Sequence, residues 1–207
     1  MGMISKVDAA KQQLDTAIKL LFENVDPVSA YALAAASREI TDDLFDKNRD
    51  EILGRECARL ADIKQVRWSF REEYEIRIKP EYLAEARQIM RERQNFLKHA
   101  DRDPEGTIDL STELLAMHIF TSIMNFQLVT ASWTRAMALF TCWITAKYPN
   151  LLKEDAEGEF IEQIERFRRA LTGLSHDQEM FVLYRALQIN YPEIFAQAPP
   201  GLASILR

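Results

Sequence analysis

A stretch of 21 residues from Leu114 to Thr134 contains no Asp, Glu, Lys or Arg, and only Arg135 separates it from 11 further residues of the same kind. A segment this apolar must be buried in a domain core, an interface or a membrane. Polar side chains within it, among them His118 and Asn125, would be costly in lipid, and its flanks carry no basic clusters. We therefore predict two buried helices and no membrane partner.

Apolar residues recur at helical spacing along most of the remaining chain. Helix-start signals precede several of these segments: Ser5 with Asp8, Asp26 with Pro27, and the capping box Ser175-His-Asp-Gln178. The fold class predicted from these patterns is all-α, a single bundle of about seven to eight helices without a substantial sheet. Residues 1–195 are expected to form one helical domain, and residues 196–207 a loosely held tail.

The segment from residue 50 to residue 79 allows two interpretations. Leu53, Cys57 and Leu60 have helical spacing, whereas the stretch from Tyr74 to Ile78 alternates with period two. We predict a helix over roughly 50–70, followed by a connection without defined structure. Pro80 then begins another helix that ends near His99.

Composition restricts the cellular setting. The 207 residues include only two cysteines, Cys57 and Cys142, and neither has the spacing of a zinc site or a disulfide framework. No signal peptide or myristoylation pattern opens the chain, so we expect a cytoplasmic protein. The net charge of −6 argues against broad attraction to nucleic acid.

The residues best suited to chemistry lie at the end of the helix that starts at Pro80. Side chains three or four apart share a helix face, so Arg91, Asn95 and His99 form one polar row, with Lys98 and Arg102 nearby. Cationic groups of this kind bind phosphate, and a histidine can serve as general acid or base on a ribose hydroxyl. The alternative is structural: His99 and Asn95 cap the helix end, while nearby aspartates pair with the arginines.

The string from Asn95 to Pro104, Asn-Phe-Leu-Lys-His-Ala-Asp-Arg-Asp-Pro, resembles the signature of a family of small, all-helical bacterial proteins without an established activity. More distantly, Arg93 and His99 resemble the Arg-x4–6-His pattern of HEPN domains. The alanine-rich stretch from Ala30 to Ile40 also resembles a helix found early in HEPN bundles.

The HEPN resemblance implies a metal-independent ribonuclease or RNA-binding protein of a toxin–antitoxin or phage-defence system. In that interpretation Arg93 and His99 are catalytic: Arg93 would stabilise the phosphate and His99 would act on the ribose hydroxyl. Arg91, Asn95, Lys98 and Arg102 would bind the RNA. The chain departs from the pattern in carrying Gln94 after the arginine and about a hundred residues beyond the motif.

Other candidate residues have structural interpretations. His118 is expected to be a hydrogen-bonded core residue, His176 belongs to a helix start, and Cys142 is a packing residue. Glu-x-x-His pairs, zincin, dinucleotide and P-loop motifs and the nucleophile elbow are absent from the sequence, so we predict no metal and no cofactor.

Two functions therefore remain open. The first is a non-enzymatic helical interaction protein, and the second is the HEPN-like ribonuclease or RNA-binding protein. In either case we expect a homodimer, since the aromatic side chains in or beside the uncharged stretches offer more apolar surface than one thin bundle buries. These aromatics are Phe126, Trp133, Phe140 and Trp143. RNA or another protein is the expected further partner.

Overall fold

The computed structural model describes residues 3–52, 54–55, 95–96, 105, 107–108, 110–149 and 159–190. Within these ranges the regular structure is helical and no strand occurs, which confirms the all-α prediction. The long helices are α1 (Lys6–Glu23), α2 (Pro27–Lys47), α3 (Thr112–Thr130), α4 (Arg135–Lys147), α5 (Glu159–Leu171) and α6 (His176–Asn190).

Two of the predicted helix starts lie at the beginning of α1 and α2. The backbone N–H of Asp8 donates to Ser5 Oγ over 3.0 Å, and that of Ser29 donates to Asp26 Oδ1 over 2.9 Å. These bonds satisfy donors that the first turn of a helix leaves without an internal partner. The bonds from Ser29 also hold the pKa of Asp26 below its ordinary value.

Helix α2 packs against both α1 and α3. Its small side chains Ala30, Ala34 and Ala35 are buried, which lets the helices approach closely. The three-residue turn after α1 makes α1 and α2 antiparallel, and Ser37 Oγ donates to the carbonyl oxygen of Ala10 over 3.0 Å. Contacts between α2 and α3 follow the same order along both helices, from Tyr31 with His118 to Asp42 with Asn125, so these two helices run parallel.

The uncharged region forms α3 and α4, and both lie in the core as predicted. Phe22 of α1 contacts two aromatic rings of α4, with its centroid 6.0 Å from Phe140 and 5.5 Å from Trp143. Phe126, Phe140 and Trp143 are buried by their own chain, and only Trp133 among the four aromatics named above is exposed. The apolar surface on which the dimer was predicted is thus largely internal.

Helices α5 and α6 complete the described bundle. Arg168 of α5 donates through Nε to the carbonyl oxygen of Ala146, at the end of α4. Gly173 follows α5 with a φ of 84°, a left-handed conformation that glycine adopts without a steric penalty, and this turn leads into α6. In the part of the chain that the structure describes, no helix combines the length and apolarity needed to cross a bilayer.

Several sequence predictions fall on other parts of the chain. Of the helix predicted over 50–70, residues 50–52 and 54–55 are described, and they are helical. Of the helix predicted from Pro80, Asn95 and Phe96 are described, and both are helical. The connection up to residue 79 and the tail over 196–207 lie outside the described residues, and the single-domain organisation stays a prediction.

Candidate functional site

The candidate RNA-cleaving site lies almost entirely outside the described residues. This applies to Arg93 and His99 and to the proposed binding residues Arg91, Lys98 and Arg102. Asn95 is described, and it is helical and exposed. The arrangement of these side chains around a phosphate therefore stays a prediction.

A second candidate site is formed by α6, which carries apolar residues on two opposite faces. The inner face is a stripe of apolar residues at helical spacing: Met180, Leu183 and Leu187 are buried against the rest of the bundle. Tyr184 packs beside them, and its hydroxyl donates to Glu23 Oε1 over 3.1 Å. This face accounts for the attachment of α6 to α1.

The outer face of α6 is exposed although it is also apolar. Phe181 keeps 65% of its surface accessible, Ile189 keeps 70% and Val182 keeps 45%. Leu174, in the turn before the helix, is exposed as well. Single exposed apolar residues are common on protein surfaces, but three on one face of a helix are typical of a contact surface.

Charged residues alternate with the apolar ones on this outer face. Asp177, Phe181, Arg185 and Ile189 follow one another at intervals of four residues, so they form a row along one side of α6. Asp177 and Arg185 are exposed, and Arg185 Nη1 donates to Gln188 Oε1 over 2.7 Å. We call these four residues the outer row.

The start of α6 is held firmly on the bundle. The capping box predicted from the sequence is present: Ser175 N–H donates to Gln178 Oε1 over 2.9 Å, and Gln178 N–H donates to Ser175 Oγ over 3.3 Å. Glu179 accepts hydrogen bonds from Trp143 Nε1 at 2.8 Å and from Lys147 Nζ at 3.1 Å. The outer row is therefore displayed on a helix with a fixed position.

A cleft of about 210 Å³ lies beside the same end of the bundle, where α3 and α6 begin and α4 ends. Burial and the carboxylates of Glu113 and Glu179 raise the pKa of Tyr148. Lys147 is paired with Glu179 and lies 5.4 Å from the ring centroid of Trp143. The cationic group of the cleft thus already has a partner within the protein. The lining residues are Thr112, Glu113, Ala116, Trp143, Lys147, Tyr148 and His176.

His118 lies in the core, as predicted, but the predicted hydrogen bond of its ring is not found. Its ring stacks on Tyr31, with a centroid distance of 4.4 Å and an angle of 9° between the planes. Neither Nδ1 nor Nε2 has a hydrogen-bond partner within the described structure. Burial, and secondarily the charge of Arg38, lowers the pKa of His118 to about 3, so the ring is neutral at physiological pH.

Metal and thiol chemistry find no support among the described side chains. No cluster of three or more His, Cys, Asp or Glu residues suited to a metal ion occurs there. Burial raises the pKa of Cys142, which keeps the thiol protonated and poorly nucleophilic. His176 is exposed at the start of α6, as its place in the capping box predicts.

Comparison with known proteins gave no match to a family model, a curated protein or a solved structure.

The outer face of α6 is hard to predict from the sequence, because the inner stripe alone is sufficient to predict a helix. The available signal was the pair Phe181 and Ile189, whose spacing of eight residues places them together and away from the inner stripe.

Proposed function

We propose that this protein is a non-enzymatic helical interaction protein that binds another protein chain through the outer face of α6. The observation that carries the proposal is the exposure of Phe181, Val182 and Ile189 on a helix whose opposite face is already buried. Apolar side chains gathered on one exposed face lose unfavourable contact with water when a partner covers them.

The fixed position of α6 supports this proposal. A partner that binds a rigid surface does not have to order it first, so less of the binding energy is lost on association. The bonds of Glu179 to Trp143 and Lys147, and that of Tyr184 to Glu23, hold the helix along its length. The cysteine usage of this sequence leads us to propose a cytoplasmic setting.

Site-specific photo-crosslinking in the cells that make the protein tests this function. A photoreactive residue at position 182 lies at the edge of the outer face, and one at position 28 is the matched control, since Val28 on α2 has a similar exposure of 49%. We expect a defined crosslinked protein from position 182 only, identified by mass spectrometry. Phe181→Asp should abolish that product without changing the helical content measured by circular dichroism. Equal products from both positions, or a product unaffected by Phe181→Asp, would overturn the proposal.

The second candidate function is the HEPN-like metal-independent ribonuclease or RNA-binding protein. It is favoured by one described feature: the alanine-rich segment that carries the resemblance forms α2, with Ala30, Ala34 and Ala35 packed inside the bundle. Cleavage of a mixed RNA pool in EDTA, with His99→Ala and Arg93→Ala beside the parent protein, tests it. Cleavage that both substitutions abolish would favour the ribonuclease, and cleavage by none of the three proteins would count against it.

A further inference from the structure

We infer that the partner of the outer row is a second copy of this chain, bound as an antiparallel pair of α6 helices whose two-fold axis passes beside Phe181. The inference rests on the proposed function, because it names the occupant of the same surface. It is carried by the order of charges and apolar groups along the outer row.

A two-fold axis at Phe181 makes the outer row complementary to itself. Asp177 precedes Phe181 by four residues and Arg185 follows it by four. In an antiparallel pair, Asp177 of each copy therefore lies opposite Arg185 of the other, and the two phenylalanines meet at the axis. Two ion pairs form for every dimer, and each side chain involved is exposed in the single chain.

The apolar groups match in the same register. Ile189 lies eight residues beyond Phe181, so it faces the turn of the other copy, where Leu174 is exposed. Val182 flanks the central phenylalanine. Exposed ion pairs add little affinity, so burial of these apolar groups would supply most of it, while the charges select the register.

The charges favour this register over the alternative antiparallel register with its axis beside Arg185. An axis placed beside Arg185 would bring Phe181 opposite Ile189, an equally good apolar match. It would also place the two Arg185 guanidinium groups against each other, and like charges in contact are unfavourable. The register with the axis beside Phe181 replaces that repulsion with two attractive pairs.

Charge reversal measures this register directly. In sedimentation equilibrium of the purified chain, we expect a monomer–dimer equilibrium, since one helix pair is smaller than a standard interface. Arg185→Asp alone and Asp177→Arg alone should each weaken dimerisation about tenfold, because each converts two attractive pairs into two repulsive ones. The double variant Asp177→Arg/Arg185→Asp should restore the parental dissociation constant. A double variant no tighter than the weaker single variant would overturn the register.

Crosslinking tests the position of the two-fold axis independently, in case Asp177→Arg disturbs the start of α6. Val182→Cys, which lies next to the axis and keeps Phe181, should give a dimer with a short bifunctional maleimide in a chain with Cys57→Ser and Cys142→Ser. Val28→Cys in the same background is the exposed control and should give none. Equal crosslinking at both positions, or none at position 182, would contradict the axis beside Phe181.

The two proposals fail in different ways. A chain that stays monomeric at all concentrations, yet is photo-crosslinked to a different protein from position 182, would overturn the second copy and leave the proposed function standing. A monomeric chain without any crosslink that depends on Phe181 would overturn both. A crosslinked product that contains only this chain would support both.

Discussion

The imidazole ring of His118 lies flat against the phenol ring of Tyr31, 4.4 Å from centroid to centroid, and it joins α3 to α2 in the middle of the bundle. The ring is buried, and neither of its nitrogens has a hydrogen-bond partner among the described residues. A polar ring in this setting contributes packing but loses the hydrogen bonds that it makes with water. The unbonded ring nitrogens therefore lower the stability of the fold, and two measurements can detect this effect.

The first measurement is the pH dependence of stability. The pKa of His118 is about 3 in the folded chain, against an ordinary value of 6.5, so the unfolded chain binds the proton more readily. The contribution of the neutral ring to stability is complete above about pH 6.5 and is lost as the pH falls towards about 3. By about pH 4 the loss should reach about 3 kcal/mol, measured by urea denaturation.

The control for this prediction is His118→Phe, which keeps the stacked ring and removes the titrating group. Carboxylates contribute to acid denaturation in both proteins, so the difference between the two stability curves isolates His118. The difference should grow as the pH falls. Parallel curves for the parent and His118→Phe would contradict the lowered pKa.

At neutral pH the same substitution should stabilise the protein. Phenylalanine fills a similar volume against Tyr31 without buried polar atoms, so we expect the free energy of unfolding to rise by about 1 to 3 kcal/mol. His118→Ala should have the opposite effect, since it leaves a cavity that costs about 2 to 4 kcal/mol. A lower stability for His118→Phe would show that the ring nitrogens do have partners.

Trp143 offers a separate test of how α6 is attached. Trp143→Phe keeps an aromatic ring beside Phe22 but removes the N–H that donates to Glu179 Oε1 over 2.8 Å. We expect a loss of about 1 to 3 kcal/mol in the free energy of unfolding, because a hydrogen bond to a charged acceptor is lost and the smaller ring fills less of the buried volume. Faster amide hydrogen exchange in α6 should accompany it.

Trp133→Phe shows the effect of the same substitution at an exposed site. Trp133 keeps 39% of its surface exposed, so we expect a change within about 0.5 kcal/mol. Equal losses from the two tryptophan substitutions would show that the bond to Glu179 does not stabilise the bundle.

The start of α4 depends on Thr134. Its Oγ1 accepts from the N–H of Met137 over 3.1 Å and donates to Asp15 Oδ1 over 2.5 Å, so one hydroxyl caps α4 and links it to α1. Thr134→Ala should lower the free energy of unfolding by about 1 to 2 kcal/mol, measured by chemical denaturation. Thr134→Ser retains the hydroxyl and should stay within about 0.5 kcal/mol of the parent. Similar losses for both variants would assign the effect to the methyl group instead.

Local signals in the sequence predicted much of the fold. The pair Ser5 and Asp8 predicted a helix start, and α1 begins at Lys6 with Ser5 as its cap. The uncharged stretch predicted two buried helices, and α3 and α4 are those helices. Each of these signals lies within a few residues of the structure that it determines, so one sequence is sufficient to see it.

Long-range contacts could not be predicted in this way. Tyr31 and His118 meet because α2 and α3 run parallel, and nothing within either segment indicates that pairing. The outer face of α6 could not be predicted for a related reason, since whether Phe181 is exposed depends on which face the rest of the bundle covers. The candidate site at Arg93 and His99 stays a prediction, to be decided by RNA cleavage.

The bond between Trp143 and Glu179 also gives the protein a built-in optical reporter. Indole emission shifts with the polarity of its surroundings and with the loss of a charged hydrogen-bond acceptor, and here that acceptor belongs to the helix that displays Phe181. In a variant with Trp68→Phe and Trp133→Phe, indole fluorescence would come from Trp143 alone. Any event that lifts α6 from the bundle would then be visible as it happens, without an added dye.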